Sequence, residues 1–264
     1  GQGESLNQLE DYFHKIWKES CVSIKKGKQS SKHTEAYRHM EEIYASLLKK
    51  YNDIETYSAW EKDTTEANKI TLINNGTEAG RKTPQVLQAI RYLTENADHV
   101  IIQTPYVICN GYMYDVLQGI SDHAKLQIVL NAVEKGSNPW GCTDYLNQKK
   151  KILETGADVY ELMNDYPVHT KAVLIDDRLS VVGSYNLDMR STYLDTELML
   201  VIDSEKLSQQ IHETESDYME KSKEVLANGQ ETEGAKYQGK VLNRKKKLYY
   251  GVLRIIIRPL RQLL

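Results

Sequence analysis

The sequence predicts an α/β fold in which helices flank a mixed or largely parallel sheet. From residue 69 onward, short apolar runs alternate with longer stretches whose apolar residues recur every three or four positions. That alternation is typical of strands and helices arranged in layers. The composition, 40% hydrophobic and 27% charged, is ordinary for a globular protein, and no run of eighteen apolar residues predicts a membrane-spanning helix.

Two helices are predicted ahead of this region, over residues 4–19 and 34–51, with the polar segment SIKKGKQSSKH between them. A later helix over 84–96 has Thr83 as its predicted cap and Pro84 in its first turn. The other predicted helices cover 110–121, 142–155 and 205–227. The predicted strands cover 70–73, 100–104, 126–130, 158–162, 172–175, 179–183 and 197–202.

The sequence divides into three parts: a helical segment over 1–68, a sheet-forming domain over 69–227, and a loop with a basic, apolar tail over 228–264. Residues 240–264 carry a charge of +8 and the whole chain carries −3, so the other 239 residues carry −11. The acidic body argues against nucleic-acid binding, and the basic tail points to an anionic membrane surface.

Three cysteines, Cys21, Cys109 and Cys142, are widely spaced and form no CxxC pair. We therefore predict neither a disulfide framework nor a structural zinc site, and no cofactor is expected. The first twenty residues lack the basic start and the apolar stretch of a secretory signal. These features favour a reducing, cytoplasmic setting.

One predicted hairpin concentrates polar residues at its open end. His169 and Lys171 are two residues apart, so on a strand both side chains point to the same face. Asp176 has the opposite parity and begins the turn that reverses the chain. The GSxN sequence that ends the second strand holds Ser184 and Asn186. Two adjacent strands could therefore bring these polar side chains to one place, with the exception of Asp176 at the turn.

These groups suit the chemistry of phosphate esters without a metal. A neutral imidazole attacks phosphorus or relays a proton, and His169 is the candidate for that role. Lys171 and Asn186 could hold the non-bridging oxygens of a phosphate as negative charge builds in the transition state. Glu197, on the following strand, could fix the imidazole tautomer. Asp176 is either a structural anchor at the turn or a direct participant.

The segment HTKAVLIDDRLSVVGSYNLDMRSTYLDTELMLVI resembles the HKD motif of the phospholipase D superfamily, and specifically the second such motif of bacterial cardiolipin synthases. In those synthases the motif continues with D-P-R-S and L-N-T-E. This sequence departs from them at Met189, where they have proline, and at Asp195, where they have asparagine. TPYV (104–107) and GADVYEL (156–162) also resemble segments of those enzymes. The residues that fall on family positions, and are the predicted catalytic residues, are His169, Lys171, Asp176, Ser184, Asn186 and Glu197.

The resemblance implies a phospholipase D-type fold and a phosphatidyltransferase that converts phosphatidylglycerol to cardiolipin and glycerol. The implied reaction runs through a phosphohistidine intermediate and needs no metal or cofactor. A phospholipid is the implied substrate, and the implied location is peripheral, at the cytoplasmic face of the cell membrane. Phospholipase D-type hydrolysis of a phosphodiester is the alternative reaction.

Family members build one active site from two HKD motifs, and this sequence has one. Two explanations fit. The chain is the C-terminal half of a longer enzyme, with residues 1–68 leading from a first HKD domain, or two copies pair about a twofold axis. The helix LEDYFHKIW resembles the segment after the first motif, which favours the longer enzyme. Which histidine is the nucleophile stays open.

Other functions fit less well. A homodimeric nuclease needs a basic surface around its paired histidines, and the acidic body opposes that. An inactive half that only binds lipid would not need the complete set of His, Lys, Asn and Glu. The tail RKKKLYYGVLRIIIRPLRQLL fits either an amphipathic helix in a membrane surface or a helix packed on the domain, and Pro259 would kink a continuous helix.

Overall fold

A computed structural model describes residues 4–19, 31–51 and 64–261 of the chain. Most of the polar segment predicted between the first two helices lies outside these residues. The helices are α1 (Glu4–Lys18), α2 (Ser31–Lys50), α3 (Gln85–Leu93), α4 (Gly111–Ser121), α5 (Pro139–Glu154), α6 (Met189–Tyr193), α7 (Glu205–Glu220) and α8 (Arg244–Leu260). The strands are β1 (Lys69–Asn74), β2 (His99–Gln103), β3 (Lys125–Asn131), β4 (Asp158–Leu162), β5 (Ala172–Ile175), β6 (Leu179–Gly183), β7 (Leu198–Asp203), β8 (Ser222–Val225) and β9 (Glu231–Glu233).

The chain forms two compact units, one of Gly1–Leu6 with Glu66–Leu264 and the other of Asn7–Thr65. The smaller unit holds α2 and most of α1, the two helices predicted from apolar spacing. Both helices leave large apolar side chains exposed, such as Phe13, Trp17 and Tyr44. The larger unit contains the whole sheet and the remaining helices.

The strands of the described residues join one mixed sheet in the order β1-β7-β6-β5-β2-β3-β4-β8-β9. β2, β3 and β4 run parallel, with α4 and α5 as their crossovers, and the other neighbouring pairs are antiparallel. The predicted fold class, a mixed sheet flanked by helices, is confirmed. The β5–β6 hairpin lies inside the sheet, between β2 and β7. The predicted site therefore lies at the end of two strands that are each hydrogen-bonded to a neighbouring strand on both sides.

Apolar side chains cover both faces of the sheet. The larger core packs α3 and α4 against one face and includes Val100, Val173 and Val181. The smaller core, around Leu174 and Tyr160, is covered by apolar side chains of α7. Because side chains alternate along a strand, β5 contributes Val173 to one core and Leu174 to the other. Burial on both faces leaves little freedom for this strand to slip.

The start of α3 differs from its prediction. Thr83 does not cap the helix, because Pro84 takes the cap position and makes no side-chain capping bond. Asn75, directly after β1, accepts a hydrogen bond from the Val86 amide at 3.1 Å instead. A buried side chain from another element therefore satisfies a helix amide that a local cap would otherwise satisfy.

The end of α7 also differs from its prediction. The helix predicted over 205–227 ends at Glu220, and Ser222–Val225 form β8, which pairs with β4. Part of the predicted loop forms β9. An exposed edge of β4 would leave backbone groups unpaired, and β8 pairs with them. The short helix α6 has no counterpart in the prediction, and Asp188 caps it by accepting from the Ser191 amide.

The basic tail forms α8, which packs on α5. Pro259 falls in the last turn, so the helix runs to Leu260 despite it. Just beyond, the Arg261 guanidinium donates to the Asp144 carboxylate at 2.6 Å and to the Cys109 carbonyl at 2.6 Å. The inner face of α8 buries Tyr250, Leu253 and Ile257. The structure thus has the tail packed on the domain along this face.

Removing the Arg261 side chain would leave Asp144 as a fully buried carboxylate without its cation. We expect Arg261→Ala to lower the free energy of unfolding by about 3 kcal/mol, measured by urea denaturation. Arg258→Ala, on an exposed residue of the same helix, is the matched control, with an expected change below about 0.5 kcal/mol. Equal effects of the two substitutions would contradict this role of Arg261.

Candidate active site

The site is built at the open end of the β5–β6 hairpin. Lys171 precedes β5, and its carbonyl accepts from the Gly183 amide at 3.3 Å, which extends the hairpin ladder by one step. Residue 183 is glycine because a Cβ atom there would lie 2.2 Å from the Leu198 carbonyl oxygen in β7. This close approach of β6 and β7 brings Ser184 beside Glu197.

The backbone leading to His169 is fixed by a buried asparagine. Asn131, at the end of β3, accepts from the Val168 amide at 2.8 Å and donates to the Val168 carbonyl at 2.7 Å. These two bonds hold the residue before His169 in one position. The His169 side chain is exposed, and its imidazole has no hydrogen-bond partner among the residues that the structure describes.

The surroundings of His169 favour its neutral form. Partial desolvation, together with the positive charge of Lys171, lowers the pKa of His169 below its usual value. Because an imidazole is neutral above its pKa, His169 is unprotonated at pH 7 and can act as a nucleophile or a base. Lys171 donates from Nζ to the His169 carbonyl at 2.7 Å, which ties the two residues together.

Lys171 is a buried ammonium near two buried carboxylates. Burial lowers the pKa of Lys171, and the charges of Glu197 and Asp188 oppose that shift. Burial also raises the pKa of Asp188 to about 6, with a further contribution from the charge of Glu197. A cation held in this way at the edge of an open site is suited to binding a phosphate oxygen.

Glu197 is held by Ser184. The Ser184 hydroxyl hydrogen-bonds to the Glu197 carboxylate, and Ser184 Oγ also accepts from the Leu198 amide at 3.1 Å. In the described part of the chain no hydrogen bond joins the Glu197 carboxylate to the His169 imidazole. The predicted role of Glu197 in fixing the imidazole tautomer therefore stays a prediction.

Asn186 uses its amide nitrogen within the domain. Nδ2 donates to Ser191 Oγ at 3.2 Å, and the backbone amide of Ser191 donates to the Asp188 carboxylate at 2.5 Å. Asn186 Oδ1 is buried and has no partner among the described residues. The predicted role of Asn186, holding phosphate oxygens, therefore stays a prediction.

The structure does not bring Asp176 to this site. It lies at the other end of β5, roughly 16 Å along the strand from Lys171. Its backbone φ is 50°, and its Oδ1 accepts from the amides of Asp98 at 3.0 Å and His99 at 2.9 Å. Asp176 therefore joins the hairpin turn to the start of β2. Of the two roles predicted for it, this arrangement matches the structural anchor.

Residues 89–217 match the family model described as cardiolipin synthase, PLD-like domain. The matched region contains the whole series from His169 to Glu197. Residues 89–217 form a phospholipase D-like domain. The resemblance to the phospholipase D superfamily inferred from the motif is thereby confirmed.

Curated relatives of this phospholipase D-like domain include two bacterial proteins named cardiolipin synthase A. The one from Proteus mirabilis (strain HI4320) is 31% identical over 150 residues, which cover 55% of this chain and 29% of that protein. The one from Serratia proteamaculans (strain 568) is 29% identical over 152 residues, which cover 56% of this chain and 29% of that protein. The matches thus span less than a third of these relatives' length.

A solved structure shares the fold. The crystal structure of phosphatidylserine synthase from Haemophilus influenzae Rd KW20 superposes with a TM-score of 0.58 at 14% sequence identity. The superposition covers 97% of this chain and 62% of that one. At this level of identity the likeness concerns the fold.

The sequence-based prediction missed three polar residues that shape the phospholipase D-like domain: Asp188, Asn131 and Asn75. Asn75 is fully buried. Its side-chain amide donates to the Ser191 carbonyl at 2.7 Å, and its backbone amide donates to the Glu197 carbonyl at 2.9 Å. Each asparagine ends or directly follows an apolar strand, which was the available signal. Asp188 falls on the first position of the D-P-R-S series, and the resemblance assigns it no role.

Histidine and acidic side chains occur in each of the described ranges 4–19, 31–51 and 64–261. No three His, Cys, Asp or Glu side chains there lie together so that they could hold a metal ion. No helix in these ranges is both long and apolar enough to cross a bilayer. Cys109 and Cys142 are buried free thiols, and Cys21 lies outside the described residues.

Asp176→Ala tests the anchor. The substitution removes the acceptor for two backbone amides, and we expect it to lower the free energy of unfolding by about 2 kcal/mol. Asp177→Ala is the matched control because the side chain of Asp177 is fully exposed. Denaturation curves of both variants provide the measurement. An Asp176→Ala variant as stable as the wild type would contradict the anchor role.

Proposed function

We propose that this chain supplies half of the active site of a phosphatidyltransferase that makes cardiolipin. The observation that carries the proposal is the group at the open end of the hairpin: a neutral, exposed imidazole at His169 beside a buried ammonium at Lys171. The names of the curated relatives support the substrate class. The proposed reaction converts two molecules of phosphatidylglycerol to one cardiolipin and one glycerol.

In the first proposed step, a histidine nitrogen attacks the phosphorus of one phosphatidylglycerol. An N–P bond forms as the P–O bond to the glycerol headgroup breaks, and a second histidine gives its proton to the departing oxygen. Lys171 donates to a non-bridging phosphate oxygen, where negative charge grows in the transition state. Glycerol leaves, and the phosphatidyl group stays on the first histidine.

In the second proposed step, a hydroxyl group of another phosphatidylglycerol attacks the same phosphorus. The acid–base histidine, now neutral, takes the hydroxyl proton as the new O–P bond forms and the N–P bond breaks. Cardiolipin leaves and both histidines return to their starting protonation states. Glu197 stabilises the protonated imidazole electrostatically. Each step uses side chains alone, so we propose a reaction that needs no metal.

The proposed reaction needs two histidines, and His169 is one of them. We propose that the other comes from a further HKD motif, on another segment of polypeptide or on a second copy of this chain. The exposed imidazole of His169, without a partner among the described residues, supports this. His169 then acts as the nucleophile in its neutral form or, when it has first taken up a proton, as the acid and base, and the partner histidine takes the remaining role.

We propose that the outer face of α8 rests on anionic lipid at the cytoplasmic face of the membrane, which would make the protein peripheral. The inner face of the helix is covered by the domain, and the outer face combines apolar with basic side chains. Lipid phosphates attract the basic groups and repel the acidic remainder of the chain. The exposed residues are Lys245, Lys246, Lys247, Leu248, Val252, Ile255, Ile256 and Arg258.

The activity is tested with the longest native polypeptide that contains this sequence. It is incubated with phosphatidylglycerol vesicles in excess EDTA, and cardiolipin and glycerol are measured. We expect both products in equal amounts, and a loss of about 10²–10⁴-fold or more in His169→Ala, because the reacting imidazole is removed. His39→Ala, on an exposed histidine of α2, is the control.

Two results would contradict the proposed function. Equal turnover by His169→Ala and the wild type would remove His169 from the site. Hydrolysis of the lipid, or cleavage of DNA, without any cardiolipin would replace the transferase with a phosphodiesterase.

Ile255→Glu tests the membrane surface. The residue is 71% exposed, so the substitution should leave the thermal unfolding midpoint unchanged. Replacing an apolar side chain with an acid should weaken binding to phosphatidylglycerol vesicles by about 10-fold or more, measured by co-sedimentation. Tyr92→Glu, on a similarly exposed residue of α3, is the control. Unchanged vesicle binding by Ile255→Glu would contradict the assignment of this face.

A further inference from the structure

The backbone on both sides of the candidate active site is held by groups outside the β5–β6 hairpin. Val168 directly precedes His169, and Leu187 directly follows Asn186. Both of these apolar residues are buried. In each of them the backbone N–H and the backbone carbonyl are both hydrogen-bonded to groups of other segments. The rest of the domain therefore takes part in placing the site.

Asn131 holds the backbone that leads to His169. Its side chain is 6% exposed and makes three hydrogen bonds to the backbone. Oδ1 accepts from the Val168 amide at 2.8 Å, and Nδ2 donates to the Val168 carbonyl at 2.7 Å and to the Pro105 carbonyl at 3.2 Å. Among side chains of this size, an amide is the group that supplies two donors and an acceptor together.

The TPYV segment holds the backbone that follows the GSxN sequence. The Thr104 hydroxyl accepts from the Leu187 amide at 3.3 Å and donates to the Tyr106 carbonyl at 3.1 Å. The residue after TPYV is Ile108, and its amide donates to the Leu187 carbonyl at 3.0 Å. The chemistry of the motif gives TPYV no role, whereas its position beside Leu187 suits it to holding this end of the site.

The two sets of hydrogen bonds share one anchor. Pro105 accepts from Asn131, and the residue before it, Thr104, accepts from Leu187. The Thr104 amide also donates to the Val129 carbonyl of β3 at 3.0 Å. The end of β3 and the TPYV segment thus fix the two sides of the site relative to each other.

We propose that Asn131 is a positioning residue of the reaction. It acts through Val168 and the TPYV segment, and it sets where the His169 imidazole lies relative to the GSxN end of β6. The imidazole has no hydrogen-bond partner in the described ranges, so its placement depends on its backbone. Misplacement of a reacting group by about 1 Å costs about 10²-fold in rate. This inference rests on the proposed function and adds the residue that holds its imidazole in place.

Asn131→Asp and Asn131→Leu test the inference in the longest native polypeptide that contains this sequence. Cardiolipin formation from phosphatidylglycerol vesicles is measured per folded molecule, below the unfolding midpoint of every variant. At about pH 8 we expect kcat to fall about 10- to 100-fold in both variants. KM should change by less than about threefold, because the buried Asn131 side chain does not contact the lipid. A merely structural role would leave kcat per folded molecule unchanged.

The pH dependence separates the two variants. When protonated, the carboxyl group introduced by Asn131→Asp donates one hydrogen bond and accepts another, as the amide does. When ionised, it places a negative charge against the Val168 and Pro105 carbonyl oxygens. Burial raises the pKa of a carboxyl group, so the favourable protonated form is lost as the pH rises through the neutral range. We expect the kcat of Asn131→Asp, divided by that of the wild type at the same pH, to rise about 10-fold from about pH 8 to about pH 5.5. The ratio for Asn131→Leu should not depend on pH.

Thr104 is tested by rescue. Thr104→Val removes the hydroxyl that accepts from Leu187, and kcat should fall about 5-fold. Thr104→Ser keeps that hydroxyl and should keep kcat within about twofold of the wild type. Thr155→Val is the matched control, because it removes a buried hydroxyl that donates to a backbone carbonyl of α5. In combination with Asn131→Leu, Thr104→Val should lose less than the product of the two single losses, since both changes act on one anchor.

Asn147→Asp is the matched control for Asn131→Asp. Asn147 also donates to a backbone carbonyl and accepts from the same residue, Arg254, but it joins α5 to α8. Its kcat should stay within about twofold of the wild type at every pH. An equal loss in Asn147→Asp would overturn the inference. An unchanged kcat in both Asn131 variants, or a ratio for Asn131→Asp that does not rise as the pH falls, would do the same.

A wild type that forms no cardiolipin would instead defeat the proposed function, and hydrogen exchange then tests the positioning without turnover. Exchange of single backbone amides is followed by NMR. We expect Asn131→Leu to speed the exchange of the Val168 and Leu187 amides about 10-fold or more, while the amides of β2 keep their wild-type rates. Unchanged exchange at Val168, or an equal change throughout β2, would overturn the inference.

Discussion

The register between β5 and β6 is the constraint on which the site depends. A shift of one residue along this hairpin would turn Lys171 away from the face that it shares with Val173. Three contacts oppose such a shift: the Gly183–Lys171 backbone bond, the close approach of β7 at Gly183, and the Asp176 carboxylate on the start of β2. The interior position of the hairpin adds neighbours on both sides. The site is therefore as firmly placed as the core of the sheet.

Charge compensation is the second requirement of the site. A buried ammonium is unstable in its charged form unless negative charge lies near it. Glu197 and Asp188 supply that charge to Lys171, and Ser184 keeps Glu197 in position. Burial raises the pKa of Asp188 to about 6, and the charge of the nearby Glu197 carboxylate adds to that shift. Desolvation lowers the pKa of His169, and the positive charge of Lys171 adds to that shift, so the surroundings of the imidazole favour its neutral form.

Buried polar side chains at the ends of strands connect the sheet to the loops of the site. Asn131 fixes the approach to His169, and Asn75 joins the start of α3 to the Glu197 backbone. The tail makes a similar connection, since Arg261 bonds to the Cys109 carbonyl. The preceding residue, Ile108, donates to the Leu187 carbonyl at 3.0 Å beside the site. Satisfying backbone groups in this way keeps irregular segments fixed where function needs them.

The sequence by itself determined the seven strands from β1 to β7, the helices α3, α4 and α5 between them, and the residues of the motif, because apolar period and short spacing are local properties. It also determined that His169 and Lys171 share a face, since alternation along a strand follows from backbone geometry. Only the tertiary structure decided that Asp176 lies far from them and that β8 ends the helix α7. Both outcomes depend on a partner distant in the chain, which is His99 for Asp176 and β4 for β8. No local pattern encodes such a partner, which is why the sequence identified the chemical groups and the fold selected which of them lie together.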